Sequence, residues 1–252
     1  MTREAATLLA LLTVAARPLA AQSDTARVPL VARREVVALS AFTATSLALL
    51  PFDRRLGARI AWNPARPGSG GRLADRVATI GDPGSVIVAG GALLLGYGLH
   101  RPHLADVGRH LSEAVVVSGT LTAATKALVG RARPRTAGLE APFVFTPLRP
   151  AGGHVSYPSG HTSAAFSIAA VLDRELARSS FAARHQRWTT AASVGLYATA
   201  AGVGAARVVQ RAHWTSDVVA GAGLGIASGW WAVRWHHVRR GTARSDDQMR
   251  RQ

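Results

Sequence analysis

Six apolar stretches, each long enough for a helix and none alternating as a strand would, do most to limit what this chain can fold into. They lie at about 35–50, 84–99, 112–129, 161–177, 189–206 and 217–235. Between them fall Pro, Gly, Asp and Arg, residues that end helices and stay in water. An all-α fold follows, a helical bundle of about six core helices. Their Ala and Gly content predicts close packing, because small residues let helix backbones approach. A clean bilayer span needs about 20 apolar residues. Several stretches barely reach that, and mean hydropathy is only +0.13. The bundle is therefore expected to be membrane-embedded or membrane-associated, with a bundle buried in protein rather than lipid as the alternative.

At 252 residues, with no shift of composition along the chain, one folded domain is expected. Met1-Thr2-Arg3, an apolar run from Ala5 to Ala16, and then Arg17-Pro18-Leu19-Ala20-Ala21-Gln22 read as the parts of an export signal. Cleavage is expected after about Ala21, or else the segment is an N-terminal anchor. The expected division is 1–21 signal or anchor, 22–83 N-terminal helix and basic loop, 84–235 main bundle, and 236–252 a basic flexible tail. Pro51 is expected to stop the first stretch. With a cleaved signal, six crossings would leave the arginine-rich tail outside, against the positive-inside rule. Segment 35–50 is therefore expected to lie along the membrane or pack on the bundle.

Net charge is +16 and the sequence pI about 11.8. Scattered arginines without interleaved aromatics or a binding module argue against nucleic acid and for anionic lipid or phosphate. There are no cysteines, which excludes thiolate chemistry. Lys126 is the one lysine in the chain.

Three polar clusters flank the apolar stretches. In the first, Lys126 and Arg133 are seven residues apart, near one face of a continuing helix that Pro134 would end. The second, Tyr157-Pro158-Ser159-Gly160-His161-Thr162, reads as a helix start whose free N–H groups and Ser159 hydroxyl form an anion nest beside His161. The third carries Arg207, His213 and Asp217. At a spacing of four, Asp217 can accept from one imidazole nitrogen of His213 and leave the other free to attack. Arg207, six before His213, reaches the same place only if the chain bends between them. The other histidines are read as surface: His100, His103 and His110 in one loop, His185 in another, His236 and His237 near the tail, with His154 close enough to line a site. Arg131 and Arg211 are read as rim or membrane-surface charges.

Together and in order, the clusters resemble the type-2 phosphatidic acid phosphatase and vanadium haloperoxidase superfamily, over about residues 84–235. The pattern is Lys-six residues-Arg-Pro, then Pro-Ser-Gly-His, then Ser-Arg-five residues-His-three residues-Asp. Ala206 stands where that serine is usual, which touches the positioning of the phosphate. The resemblance implies that Lys126, Arg133, Ser159, Gly160 and Arg207 hold phosphate. It implies His213 as nucleophile, Asp217 as its orienting partner and His161 as the acid that protonates the leaving oxygen and then activates water. Three fixed cations would answer the transition-state charge with no metal and no cofactor.

The expected function is a phosphatase of the bacterial cell envelope acting through a phosphohistidine on a lipid-like monoester or diphosphate. Phosphatidate, phosphatidylglycerophosphate and isoprenyl diphosphate are candidates. The site is expected to face the periplasm from the inner membrane, or to be periplasmic outright. The alternatives are a periplasmic acid phosphatase for soluble phosphomonoesters, a vanadium haloperoxidase, and a bundle that binds phospholipid without turnover.

Overall fold

The computed structural model describes residues 31–60, 84–148 and 152–250, with 72, 76 and 77, and the backbone alone after residue 237. The expected signal or anchor at 1–21 lies outside the described residues. In chain order the helices are α1 (Arg33–Leu49), a 3-10 turn (Leu50–Phe52), α2 (Asp53–Ile60), α3 (Gly84–Gly98), α4 (Pro102–Val129), α5 (Pro134–Ala137), α6 (Gly160–Ala177), α7 (Ser180–Arg184), α8 (Gln186–Val209) and α9 (Thr215–Arg250). Among the described residues there is no strand, only a single antiparallel pairing of Arg131 with Phe145.

Pro51 does not stop the first helix. It sits in the first turn of the 3-10 segment, where a missing N–H costs little, and the chain continues as a helical rod from Arg33 to Ile60. The segment 236–252, expected as a flexible tail, continues α9 as far as Arg250. Its residues include good helix formers and no proline.

The bundle is built around α6 and α9. The latter packs along α6, α1 and α4, while α3 lies on α4 and α8 on α6. One core joins Phe166 and Ala169 of α6 to Val203 of α8 and Ile226 and Trp230 of α9. A second joins Ala89 of α3, Leu111 and Ala114 of α4, Val171 of α6 and Val233 of α9. Small residues set the spacing. A Cβ on Gly221, Gly225 or Gly229 of α9 would collide with the backbone carbonyls of Ser159, just before α6, and of Ser163 and Ser167 within it, one contact per turn.

At the end of the bundle away from residue 213, buried Glu35 of α1 takes two bonds from Arg234 of α9, Nε to Oε1 and Nη2 to Oε2, each 2.8 Å. Nearby, the surface expected for His110 and His236 is corrected, and with it the loop expected for His103 and His110. Pro102 begins a helix that runs unbroken to Val129, so His103 and His110 belong to α4 rather than to a loop. His110 is buried, with Nδ1 2.9 Å from Glu175 Oε1 and its ring 4.7 Å from that of His236. His236 in turn meets Glu113 at 2.7 Å.

The outer surface is apolar in its middle. Val36, Val37 and Leu47 of α1, Ile87 and Leu94 of α3 and Val116 of α4 are exposed. By length and composition, Arg33–Ile60 and Gln186–Val209 can each cross a membrane, and Gly84–Gly98 is a shorter apolar helix.

Candidate active site

The three sequence clusters meet at one end of the bundle because four helices begin or finish there: α4 at Val129, α6 at Gly160, α8 at Val209 and α9 at Thr215. Backbone hydrogen bonds join the connecting segments pairwise. Ser156 N–H donates to the Arg131 carbonyl at 2.9 Å, Ser159 N–H to the Asp217 carbonyl at 3.0 Å, and Arg135 N–H to the Arg211 carbonyl at 3.0 Å.

Lys126 and Arg133 do not share one helix face. Gly130, at φ +59°, ends α4 by donating its N–H to the Lys126 carbonyl at 2.8 Å. Any larger residue would strike the Thr146 backbone there. The chain leaves extended, Arg133 precedes the short α5, and Pro134 starts that helix rather than ending α4. The two cations still converge, since the charges of both bear on the His213 ring. The Lys126 ammonium lies 3.5 Å from where a Cβ on Gly160 would stand, which puts it beside the start of α6.

Ser159, buried, precedes the first turn of α6 and accepts from Thr162 Oγ1 at 2.8 Å. Gly160 and His161 open that helix, in the first turn, whose N–H groups have no partner within the helix itself. Thr122 Oγ1, one turn before Lys126, and Arg133 Nε are both buried without a hydrogen-bond partner.

The bend between Arg207 and His213 is present. After Val209 the chain turns through Arg211 at φ +52°, and the N–H groups of Ala212 and His213 return to the Arg207 carbonyl at 3.0 and 3.3 Å. The Arg207 guanidinium donates to Gln210 Oε1 at 2.6 Å. Ala206 is buried, its methyl in the place expected for a hydroxyl.

His213 and Asp217 are not on a common helix, because α9 starts only at Thr215. Asp217 instead caps α9 from three residues past Trp214, and His213 is the residue just before that cap. Asp217 sits in the first turn and its Oδ2 accepts the Trp214 N–H at 2.8 Å. The carboxylate Oδ2 stands 3.7 Å from His213 Nδ1, while that nitrogen is 2.7 Å from the Ser156 carbonyl. A carbonyl only accepts, so Nδ1 carries the proton and Nε2 of the neutral ring keeps its lone pair. Burial pushes the His213 pKa below the ordinary imidazole value. The Asp217 carboxylate opposes that shift, and Lys126 and Arg133 add to it. The ring therefore stays neutral at neutral pH.

Arg131 is neither rim nor surface. It is fully buried, donating from Nη1 to Asp217 Oδ1 and Ser216 Oγ at 2.7 Å each and from Nη2 to Asp53 Oδ2 at 2.8 Å. Its Nε and Nη2 also bond the Pro142 carbonyl, and its guanidinium plane lies 5.3 Å from the Trp214 ring centre. Ser156 Oγ donates to Asp217 Oδ2 at 2.5 Å. Sequence reasoning missed Asp53, Ser156 and Ser216 as well as the role of Arg131. The only available signal was that Arg131 lies inside the Lys126–Arg133 spacing. Among the described residues, no three His, Asp or Glu side chains are grouped as a metal site.

A family profile described as the PAP2 superfamily matches residues 107–240, over half of the chain. The chain is 29% identical over 202 residues to a lipid A 1-phosphatase of Rhizobium etli, covering 75% of this chain and 78% of that protein. Its fold is similar to the crystal structure of a transmembrane PAP2-type phosphatidylglycerolphosphate phosphatase from Bacillus subtilis, with a TM-score of 0.61 and 18% identity, covering 81% of this chain and 96% of that one. It is also similar to the crystal structure of Aquifex aeolicus LpxE, with a TM-score of 0.51 and 22% identity, over 71% and 93% of the two chains.

Proposed function

The chain belongs to the PAP2 superfamily, and on that premise we propose that it is a membrane phosphatase that removes a phosphomonoester from a lipid through a phosphohistidine at His213. The observation that carries the reading is the His213 Nδ1–H bond to the Ser156 carbonyl, which leaves Nε2 with its lone pair on a ring that feels the charges of Lys126 and Arg133. In the first step Nε2 bonds to phosphorus as the bond to the lipid oxygen breaks, and His161 gives that oxygen a proton. In the second, His161 takes a proton from water, the water oxygen bonds to phosphorus, and the P–N bond breaks to free inorganic phosphate and neutral His213.

Lys126, Arg133 and Arg207 bind the equatorial oxygens, with Ser159 and the Gly160 N–H completing the cradle. The unpartnered Arg133 Nε and Thr122 hydroxyl are donors such an anion would satisfy. Asp217, held by Arg131, Ser156 and the Trp214 N–H, stabilises the imidazolium that forms. Three cations fixed by the fold supply the charge that a metal supplies elsewhere.

The exposed apolar middle of the bundle fits a lipid surround. If all six long helices cross, the Arg33 end of α1 and the basic end of α9 lie on the same face. The positive-inside rule makes that face cytoplasmic and the site periplasmic, in the inner membrane of a bacterial envelope. The lipid A 1-phosphatase relative favours lipid A as the substrate to try first.

The test is phosphate release from lipid A, phosphatidate and p-nitrophenyl phosphate by purified protein in EDTA, with His213→Ala beside it. Release that persists in EDTA and vanishes in the variant is expected. Release that survives the substitution, or that needs added metal, would overturn the mechanism.

A further inference from the structure

A groove of about 410 Å³ runs along the outside of the bundle between α6 and α8, flanked by Val88 of α3. Its near end is formed by Ala165 and Val203 and its far end by Ala192. Ala165 is four residues after His161 and Val203 four before Arg207. On α6 the groove therefore begins about one turn, about 6 Å, from the candidate acid His161, and on α8 the same distance from Arg207 of the phosphate cradle. Along α8 it continues for about 16 Å, close to half of the roughly 30 Å hydrocarbon thickness of a bilayer.

No charged side chain lines it, and the one hydroxyl, that of Thr199, is bonded to the Gly195 carbonyl at 2.8 Å. At the far end, one turn beyond Ala169 on α6, Asp173 Oδ1 accepts from Ser193 Oγ at 2.5 Å, a polar pair that bounds the apolar run. Beside the groove Val88 and Val194 are exposed, so its open side continues onto the apolar outer surface of the bundle. An apolar channel with cations at its head, a polar stop at its foot and an apolar flank matches an alkyl chain attached to a phosphate. A soluble phosphomonoester would have no use for it.

We propose that the α6–α8 groove holds one acyl chain of the lipid whose phosphate is cleaved at His213. This rests on the lipid phosphatase reading and names the part of the substrate that selects it. Gly195 is the position to test, because it lines the groove and a Cβ there would meet nothing within 4 Å. A leucine at that position starts from open space at its Cβ and puts its branched end in or beside the channel.

For Gly195→Leu, kcat/KM toward long-chain phosphatidate is expected to fall about tenfold, the equivalent of losing about two buried methylenes. Turnover of p-nitrophenyl phosphate should stay within about twofold, as no cradle residue is touched. In a second experiment, wild-type protein is photolabelled with an alkyl phosphate carrying a diazirine near its chain end. Label is expected in Ile168–Ala169 or Ala192–Val203. Equal effects of Gly195→Leu on both substrates, or label confined to other helices, would overturn the groove while leaving the phosphatase reading intact. Failure of wild-type protein to release phosphate from any substrate would overturn that reading and the groove together.

Discussion

Arg131 ties the candidate nucleophile to the rest of the molecule without facing the phosphate. One fully buried guanidinium answers two fully buried carboxylates, Asp53 from the N-terminal rod and Asp217 beside His213. Breaking a buried pair leaves charge without compensation and costs about 3–5 kcal/mol. Arg131→Leu should therefore lower thermal stability in detergent by a margin of that order. It should also lower kcat far more than it raises KM for p-nitrophenyl phosphate, because Asp217 loses the donor that fixes Oδ1 while the phosphate ligands stay in place. An Arg131→Leu protein with the melting point and kcat of wild type would show that the network is idle.

The backbones of α6 and α9 come into direct contact, and that approach depends on a row of three glycines. Gly225 is the middle one, and any Cβ there meets the Ser163 carbonyl. Since Ser159 N–H and the Asp217 carbonyl hold the site ends of the same two helices, separating them opens the site as well as the core. Gly225→Ala is expected to destabilise by about 1–3 kcal/mol through overpacking and to reduce turnover. Gly119→Ala, on a face of α4 where a Cβ meets nothing, should be neutral or gain up to about 1 kcal/mol from helix propensity. Paired melting curves measure the contrast, and equal effects of the two substitutions would dismiss the close-packing argument.

For the whole molecule, the decisive arrangement is that the helices alternate in direction and gather their polar termini at two ends, leaving an apolar middle. The site end holds His213 and Arg131; the opposite end holds the Glu35–Arg234 and Glu113–His236 pairs. Such a body is expected to stay with the membrane pellet after alkaline carbonate washing. Its appearance in the soluble fraction would favour a bundle that only touches the bilayer.

Much of this was legible in the chain alone. The six apolar stretches determined an all-helical body, since their length and lack of alternation allow little else, and the clusters around Lys126, Gly160 and His213 carry their spacing wherever the helices go. The six-residue spacing of Arg207 and His213 also required the bend between them if both are to meet one phosphate. What reads locally was misread where a partner is remote. Arg131 looked like one more surface arginine because its acids lie 78 and 86 residues away in sequence. His110 looked like a loop residue because Glu175 is 65 residues on. The Ser156 carbonyl, which sets the tautomer of His213 from 57 residues away, is a backbone group with no sequence signature at all. The amino-acid sequence by itself determined which helices form and which side chains can do chemistry, because propensity and spacing act within a turn or two. Only the tertiary structure decided which charges are buried, which proton sits on which nitrogen and which helices touch, because desolvation and hydrogen bonding depend on neighbours that the chain brings in from far away.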